Sequence, residues 1–303
     1  MAWFDDQATT ATTEPPLARE VVELDELEAG PVRVVPNPLP TLLAVLDAAR
    51  GRSNGVPDEW TEAASSVLPV RDLRALDPIV ARPHGFVPDC LLGLGAIVSS
   101  DPDRAVERIS RVGGDAVLAE LTGPGGPGII GAWKGVARDP AAWLGRYTRA
   151  LSLAWEATRS EWNAAARLVD VEAQRVGAAI GRGAMAEAVR DVHPAGAVRE
   201  GRWALPGPES RQRRLAEGGL TLIPKLTGRR SPAIRAYEGD RLSHLAYPLP
   251  GAARELGEMP PPSSLEVLLG GQRAAAGRRR RDPGGSQRRL DLAAVPRCRE
   301  RLA

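Results

Sequence analysis

A single long amphipathic stretch constrains the fold of this chain more than any other feature. Asp139 followed by Pro140 is typical of a helix start, because aspartate is a favoured N-cap and proline fits the first helical position. The apolar residues that then recur at intervals of three, four and seven are Leu144, Tyr147, Leu151, Trp155, Trp162, Val169 and Val176. This spacing predicts a long helix with one buried, aromatic face. Gly177, Gly181 and Gly183 weaken its continuation.

Shorter elements are predicted on both sides of this helix. Residues 32–35 form an apolar strand or extended lead-in, and residues 39–46 continue with helical spacing until Gly51. After the long helix, residues 197–205, 219–224 and 242–249 are typical of short strands separated by turns. The predicted fold class is therefore α+β, a mainly helical N-terminal domain with a small antiparallel sheet.

Composition divides the chain into segments. Residues 1–30 are acidic and rich in proline and threonine, which predicts a disordered tail with room for one short helix. Residues 31–256 are expected to form one domain, and residues 257–264 a proline-rich linker. Residues 271–303 contain ten arginines against three acids, a net charge of +7, so the remaining 270 residues carry −5 of the total of +2.

Composition also excludes several classes of protein. Hydrophobic residues make up 43% of the 303, and no apolar run approaches the roughly 20 residues that span a bilayer. The N-terminus lacks the basic and apolar segments of a secretory signal, so a cytoplasmic protein without membrane contact is expected. Cys90 and Cys298 are the only cysteines and lie in no metal-ligand spacing, which predicts neither a structural disulfide nor a metal site.

Several segments, in this order, resemble a domain that precedes an ArsR-like winged helix in transcriptional regulators of high-GC bacteria. The resemblance covers residues 32–275. The segments that carry it are Val34-Val35-Pro36-Asn37-Pro38-Leu39, Phe86-Val87-Pro88-Asp89, the helix around Trp155 and Trp162, His193-Pro194, Gly218-Gly219-Leu220-Thr221-Leu222-Ile223-Pro224, and His244-Leu245-Ala246-Tyr247-Pro248. The resemblance implies an effector-sensing or dimerisation domain of unknown biochemical role, followed by a DNA-binding domain.

The DNA-binding half departs from that family. Residues 265–270, with Arg273 and Ala274, resemble the opening of a winged helix of about 70 residues. After Ala274 the pattern stops, and no pair of amphipathic helices follows that could present a recognition helix. We therefore interpret residues 265–303 as a winged-helix remnant with an arginine-rich, disordered tail, translated out of frame from about residue 275.

Basic residues in this tail are the candidate DNA contacts. They are Arg278, Arg279, Arg280, Arg281, Arg288 and Arg289. Clustered arginines bind phosphates and release counterions, which gives weak affinity that depends on salt and not on base sequence. The alternative is a solvated tail without a partner.

The aromatic face of the long helix is the candidate effector site. Tyr147, Leu151, Trp155 and Trp162 would line a cavity for an organic ligand, because aromatic walls suit such molecules. The alternative is that these residues belong to the core or to a dimer interface.

Catalysis finds no support in the sequence. His84, His193 and His244 are the only histidines, and none lies in a metal-binding or triad spacing. Cys90 lies six residues after His84 across a turn, a separation that gives no reason to expect a nucleophile and base in contact. No catalytic residue, cofactor or metal is therefore predicted.

The expected function is that of a homodimeric transcriptional regulator with a possible small-molecule effector and impaired DNA binding. A small-molecule-binding or protein-interaction module without a DNA role is the alternative, and an enzyme of unrecognised type would need convergent ionisable side chains in a cleft.

The out-of-frame interpretation is testable on the coding DNA. Arginine, glycine, alanine and proline are what GC-rich DNA encodes in a wrong frame, so another frame downstream of codon 274 should encode the missing helix-turn-helix. Sequencing this region and translating all three frames checks it. If no frame contains such a motif, the tail is the genuine sequence.

Overall fold

The computed structural model describes residues 19–51, 55–80, 87–93, 101–123, 126, 128–190, 192, 196–206, 210–228 and 233–249. The chain divides into two compact units, Met1–Met259 and Pro260–Ala303, and every described residue belongs to the first. The predicted linker and winged-helix remnant lie outside the described residues.

The described elements begin with two strands on either side of a short helix, continue with a run of helices that includes one long helix, and end with six strands. The helices are α1 (Leu24–Ala29), α2 (Leu39–Ala49), α3 (Asp58–Val67), α4 (Val70–Leu73), α5 (Asp77–Val80), α6 (Pro102–Ile109), α7 (Gly114–Thr122), α8 (Trp133–Arg138), α9 (Pro140–Gly181) and α10 (Met185–Arg190). The strands are β1 (Arg19–Glu23), β2 (Val32–Val34), β3 (Ala197–Arg199), β4 (Arg202–Pro206), β5 (Arg211–Arg213), β6 (Leu220–Lys225), β7 (Ile234–Glu238) and β8 (Arg241–Pro248). The predicted α+β class is confirmed.

Helix α9 confirms the predicted long helix and its start. The Asp139 carboxylate accepts a hydrogen bond from the backbone N–H of Ala142 at 2.9 Å, and Pro140 is the first helical residue. The helix has 42 residues, which corresponds to about 63 Å at 1.5 Å per residue. It continues through Gly177, where burial of its apolar face outweighs the roughly 1 kcal/mol that a glycine costs a helix.

Two four-stranded mixed sheets are present where the sequence predicted one small antiparallel sheet. In the first, with order β3-β4-β1-β5, β1 runs antiparallel to β4 and parallel to β5. In the second, with order β2-β6-β8-β7, the first three strands are parallel and β7 runs antiparallel to β8. Parallel pairing joins distant segments, such as Arg33 beside Thr221 188 residues later. The antiparallel prediction depended on turns between strands that are close in sequence. These turns give no information about parallel pairs of distant strands.

Order begins earlier than predicted, because β1 and α1 lie within the segment expected to be a disordered tail. Glu20 is buried, and its carboxylate accepts hydrogen bonds from Arg213 Nη2 at 2.9 Å and from the Tyr237 hydroxyl at 2.7 Å. Arg235 Nε lies 3.5 Å from the same carboxylate. Leu27 of α1 is also fully buried. The acidic composition that suggested disorder is thus compensated by partners about 200 residues away in the chain.

The second sheet separates two hydrophobic clusters. On one face, Ile223 and Ala246 join the cluster built from α2, α3 and the first part of α9, here called the helical cluster. On the other face, Leu222 and Leu245 join the cluster of α1, α10, the end of α9 and the first sheet, here called the sheet cluster. This is the alternation expected of a strand buried on both faces.

A buried polar network attaches α9 to β8 within the sheet cluster. The Tyr247 hydroxyl donates to Glu172 Oε1 at 2.6 Å, and Arg175 donates to both Glu172 oxygens from Nε at 2.7 Å and Nη2 at 2.8 Å. Burial raises the pKa of Tyr247 well above its usual range, and Glu172 adds to the rise, so the phenol stays a donor. The guanidinium compensates the buried carboxylate charge.

We predict that Glu172→Ala destabilises the domain by about 2 kcal/mol or more, because the buried Tyr247 hydroxyl loses its acceptor and Arg175 keeps only backbone carbonyls, such as those of Glu187 and Ala188. Tyr247→Phe should cost about 1–2 kcal/mol, since Glu172 keeps Arg175. Urea unfolding measures both losses. Glu107→Ala, which breaks an exposed pair with Arg111, is the control and should cost under about 1 kcal/mol. A Glu172→Ala loss no larger than the control would contradict this role of the network.

Candidate functional site

The four residues predicted to line an effector cavity lie together on the buried face of α9. Tyr147, Leu151, Trp155 and Trp162 all belong to the helical cluster and are less than 4% exposed. The rings of Trp155 and Trp162 meet edge to face with centroids 6.0 Å apart, and Trp155 Nε1 donates to Asp103 Oδ1 at 2.7 Å. These contacts favour the interpretation as core residues, and a ligand on this face stays a prediction.

Most of the other predicted residues lie outside the part of the chain that the structure describes. The six DNA-binding arginines, Arg278, Arg279, Arg280, Arg281, Arg288 and Arg289, lie outside the described residues. His84, His193 and Cys298 lie outside them as well. Cys90 and His244 lie within them.

Cys90 lies in a short 3-10 helix, Asp89–Leu92, in surroundings that oppose nucleophilic chemistry. The carboxylate of Glu120, from α7, accepts hydrogen bonds from the backbone N–H groups of Asp89 and Cys90, the latter at 2.9 Å. Burial raises the pKa of the Cys90 thiol above its usual range, and the charge of Glu120 raises it further. A nucleophilic cysteine needs a lowered pKa, so this thiol stays protonated.

Asp89 lies beside the same carboxylate. Burial raises the pKa of Asp89 to about 7, and the charge of Glu120 contributes. A hydrogen bond from the backbone of Tyr237 opposes the rise. Two carboxylates in one partly buried place do not both ionise readily, so Asp89 titrates near neutral pH.

A β-bulge in β8 turns two consecutive polar side chains toward the helical cluster. Ala236 of β7 pairs with His244, whereas the next residue, Tyr237, pairs with Leu242, so Ser243 is the extra residue. Consecutive side chains of a regular strand point to opposite faces. Here Ser243 Oγ and His244 Nδ1 lie 3.0 Å apart, and both side chains are buried.

The hydrogen bonds of Ser243 fix the tautomer of His244. Ser243 Oγ donates its only hydrogen to the carbonyl oxygen of Ala236 at 3.1 Å, so it accepts from His244 Nδ1–H. Burial, together with the charge of Arg33, lowers the pKa of His244 to about 4, so the ring is neutral at pH 7. Nε2 then carries a lone pair, and this buried atom has no hydrogen-bond partner among the described residues.

Arg33 and Thr221 complete a polar row across three parallel strands. Thr221 of β6 lies opposite His244 of β8 and is 1% exposed. Arg33 of β2, which is exposed to solvent, donates from Nε to Thr221 Oγ1 at 2.9 Å. The polar row, defined as Arg33, Thr221, Ser243 and His244, thus runs from solvent into the interior. It combines a cation, a hydroxyl that can donate to a third group, and an imidazole acceptor.

Comparisons with protein-family models, curated proteins and solved structures found no match for this chain. Within the described residues, no helix is long and apolar enough to span a bilayer. The candidate site therefore stands on its geometry.

The polar row was missed in the sequence, where His244 stood only as an isolated histidine. One signal was present: Ser243 and His244 are adjacent polar residues in the otherwise apolar run 242–249. Two polar neighbours cannot share a face in a regular strand, so the pair indicated a bulge. Its partners, Arg33 and Thr221, follow only from the parallel register.

We predict that Asp89→Asn stabilises the domain at pH 8 by about 1–3 kcal/mol, a range that allows for solvent screening. The pKa of Asp89 rises from 3.8 unfolded to about 7 folded, so only the folded chain keeps this proton between those values. Stability that the proton supplies is therefore lost as pH rises through about 7. Asparagine keeps a carbonyl acceptor and does not titrate.

Urea unfolding of both proteins at one-unit steps from pH 4 to pH 8 measures this difference. Asp170→Asn, on the exposed side of α9, is the matched control and should give a flat difference curve. A flat curve for Asp89→Asn as well would show that Asp89 ionises as an ordinary aspartate.

Proposed function

We propose that this chain is a cytoplasmic transcriptional regulator of the ArsR-like winged-helix group, in which residues 31–256 sense a small-molecule effector and form a homodimer. Its DNA binding is weak and independent of base sequence, because the chain departs from the winged-helix pattern after Ala274. Effector binding or dimerisation would favour the DNA-competent state of an intact regulator.

The observation that carries this proposal is that three of the segments that resemble the regulator family lie next to one another in the interior. Residues 34–39 connect β2 to α2, residues 218–224 contain most of β6, and residues 244–248 belong to β8. These three strands are neighbours in the second sheet. The segments that resemble the regulator family therefore belong to the sheet that both hydrophobic clusters pack against. This position is expected if the resemblance extends over the whole domain.

A contact from one resembling motif to the 3-10 helix that begins at the end of another adds support. Asn37 is buried, its Oδ1 accepts from the backbone N–H of Leu39 at 3.0 Å, and its Nδ2 donates to the carbonyl oxygen of Leu92 at 3.0 Å. Asn37 thus ties the start of α2 to the 3-10 helix that follows Val87 and Pro88. The amide satisfies backbone groups at both ends, which explains the use of asparagine between two prolines.

A binding module without a DNA role is the second candidate. The polar row favours it, because a buried imidazole acceptor beside a hydroxyl and a guanidinium suits a ligand and requires no DNA-binding domain. The two candidate functions differ in whether the chain binds duplex DNA.

Fluorescence anisotropy with a labelled duplex from the region upstream of the coding sequence, and with a scrambled duplex, tests the proposal. We expect equal, weak binding to both that falls steeply between about 50 and 200 mM salt, because phosphate contacts dominate. Replacing Arg278, Arg279, Arg280 and Arg281 by Gln should reduce the logarithmic salt slope by about 3–4, at roughly 0.9 per lost contact.

The matched control replaces Arg71, Arg104, Arg111 and Arg182 by Gln, since these exposed arginines carry the same total charge on the first unit. The control should keep the original slope. Tight discrimination between the two duplexes would contradict impaired DNA binding. No binding at the lowest salt would favour the module without a DNA role.

A further inference from the structure

We propose that the polar row is a binding site for a small hydroxy acid, whose hydroxyl donates to His244 Nε2 and whose carboxylate accepts from Thr221 and Arg33. Naming this compound as the effector rests on the proposed regulatory function, whereas the binding site itself does not.

The deep end of the site selects a hydrogen-bond donor. His244 is 6% exposed, and its Nδ1–H is already used by Ser243, so the ring can neither turn over nor donate from Nε2 without losing that bond. The neighbouring guanidinium of Arg33 opposes a cation at Nε2. A neutral hydroxyl is the group that satisfies this acceptor without adding charge to the interior.

The outer end selects an anion. Arg33 donates from Nε to Thr221 Oγ1. Because the residue is exposed, the two terminal nitrogens of its guanidinium can bind a carboxylate. Thr221 accepts that hydrogen bond and still has its own hydroxyl hydrogen to donate. Two donors, one charged, therefore converge beside the single acceptor.

The strand spacing sets the size of the ligand. Thr221 and His244 lie on neighbouring strands, which are about 4.8 Å apart. A hydroxyl and a carboxylate separated by one to three carbons span a gap of this size. Larger molecules would extend past Arg33 toward solvent.

Nitrogen NMR of the histidine rings in the full-length, 15N-labelled chain tests the proposal at the acceptor atom. The probes are lactate, 3-hydroxybutyrate and 4-hydroxybutyrate, and the matched controls are propionate and butyrate, which lack the hydroxyl. The His244 signals are assigned by their loss in His244→Asn, whose amide can replace Nδ1–H as donor to Ser243. Before addition, Nδ1 should be protonated and Nε2 should have the shift of an imidazole nitrogen without a hydrogen bond.

We expect at least one hydroxy acid to move the Nε2 resonance upfield in a saturable way, and the hydroxyl-free acids to leave it unchanged. Arg33→Gln should weaken that binding at least about tenfold, since a charge-assisted contact is lost. Arg104→Gln, an exposed arginine on α6, is the control and should bind like the parent protein. Calorimetry with the same variants checks the affinities.

Three results would overturn the site. One is an Nε2 resonance that no probe moves, including the case in which it already has a hydrogen-bonded shift from a buried water. Another is an equal response to the hydroxyl-free acids, which would indicate an anion at Arg33 only. The third is unchanged affinity in Arg33→Gln. Repeating the anisotropy titration with the bound hydroxy acid separates the two proposals, because binding without any effect on DNA affinity would overturn the effector role and keep the site.

Discussion

The parallel pairing of β2, β6 and β8 is the constraint on which the rest of the described fold depends. Strand β2 ends at Val34 and β6 begins at Leu220, so all helices from α2 to α10 lie in the connection between two adjacent strands. Closing a connection of this length costs several kcal/mol of chain entropy. All six residues of β6 are buried, and the hydrophobic contribution of the two clusters on its faces offsets this cost.

Buried charge in this domain is compensated across long sequence separations. Glu20 on β1 is held by Arg213 and Tyr237, and Glu172 on α9 by its helical neighbour Arg175 and by the distant Tyr247. His244 differs, because its neutral Nε2 has no donor although a hydroxyl and a guanidinium lie in the same row. Among the described residues, Trp203 Nε1 and both carboxylate oxygens of the buried Asp72 also lack a hydrogen-bond partner. Trp203 lies within the apolar sheet cluster, and the Asp72 carboxylate lies 3.7 Å from Arg71 and 3.8 Å from Arg149.

The sequence predicted those parts of the fold that local physics determines. The start of α9 at Asp139 and Pro140, its buried aromatic face and the positions of β6 and β8 follow from capping and periodicity. The order of residues 19–29 does not, because Glu20 is acceptable in the interior only with partners from β5 and β7. The polar row could not be predicted from the sequence either, because residues 33, 221 and 244 are brought side by side only by the register of the parallel strands β2, β6 and β8.

One strand links the two faces of the second sheet. On β8 the side chain of His244 faces the helical cluster, and three residues later Tyr247 faces the sheet cluster and binds Glu172 of α9. A ligand on the polar row would therefore contact the same strand to which the second part of α9 is attached. Such a ligand can shift an equilibrium only by the difference between its affinities for the two states. The hydrogen bonds of Ser243 and His244 belong to the bulged register of β8, so a ligand that needs this arrangement of the imidazole would favour that register over a regular one.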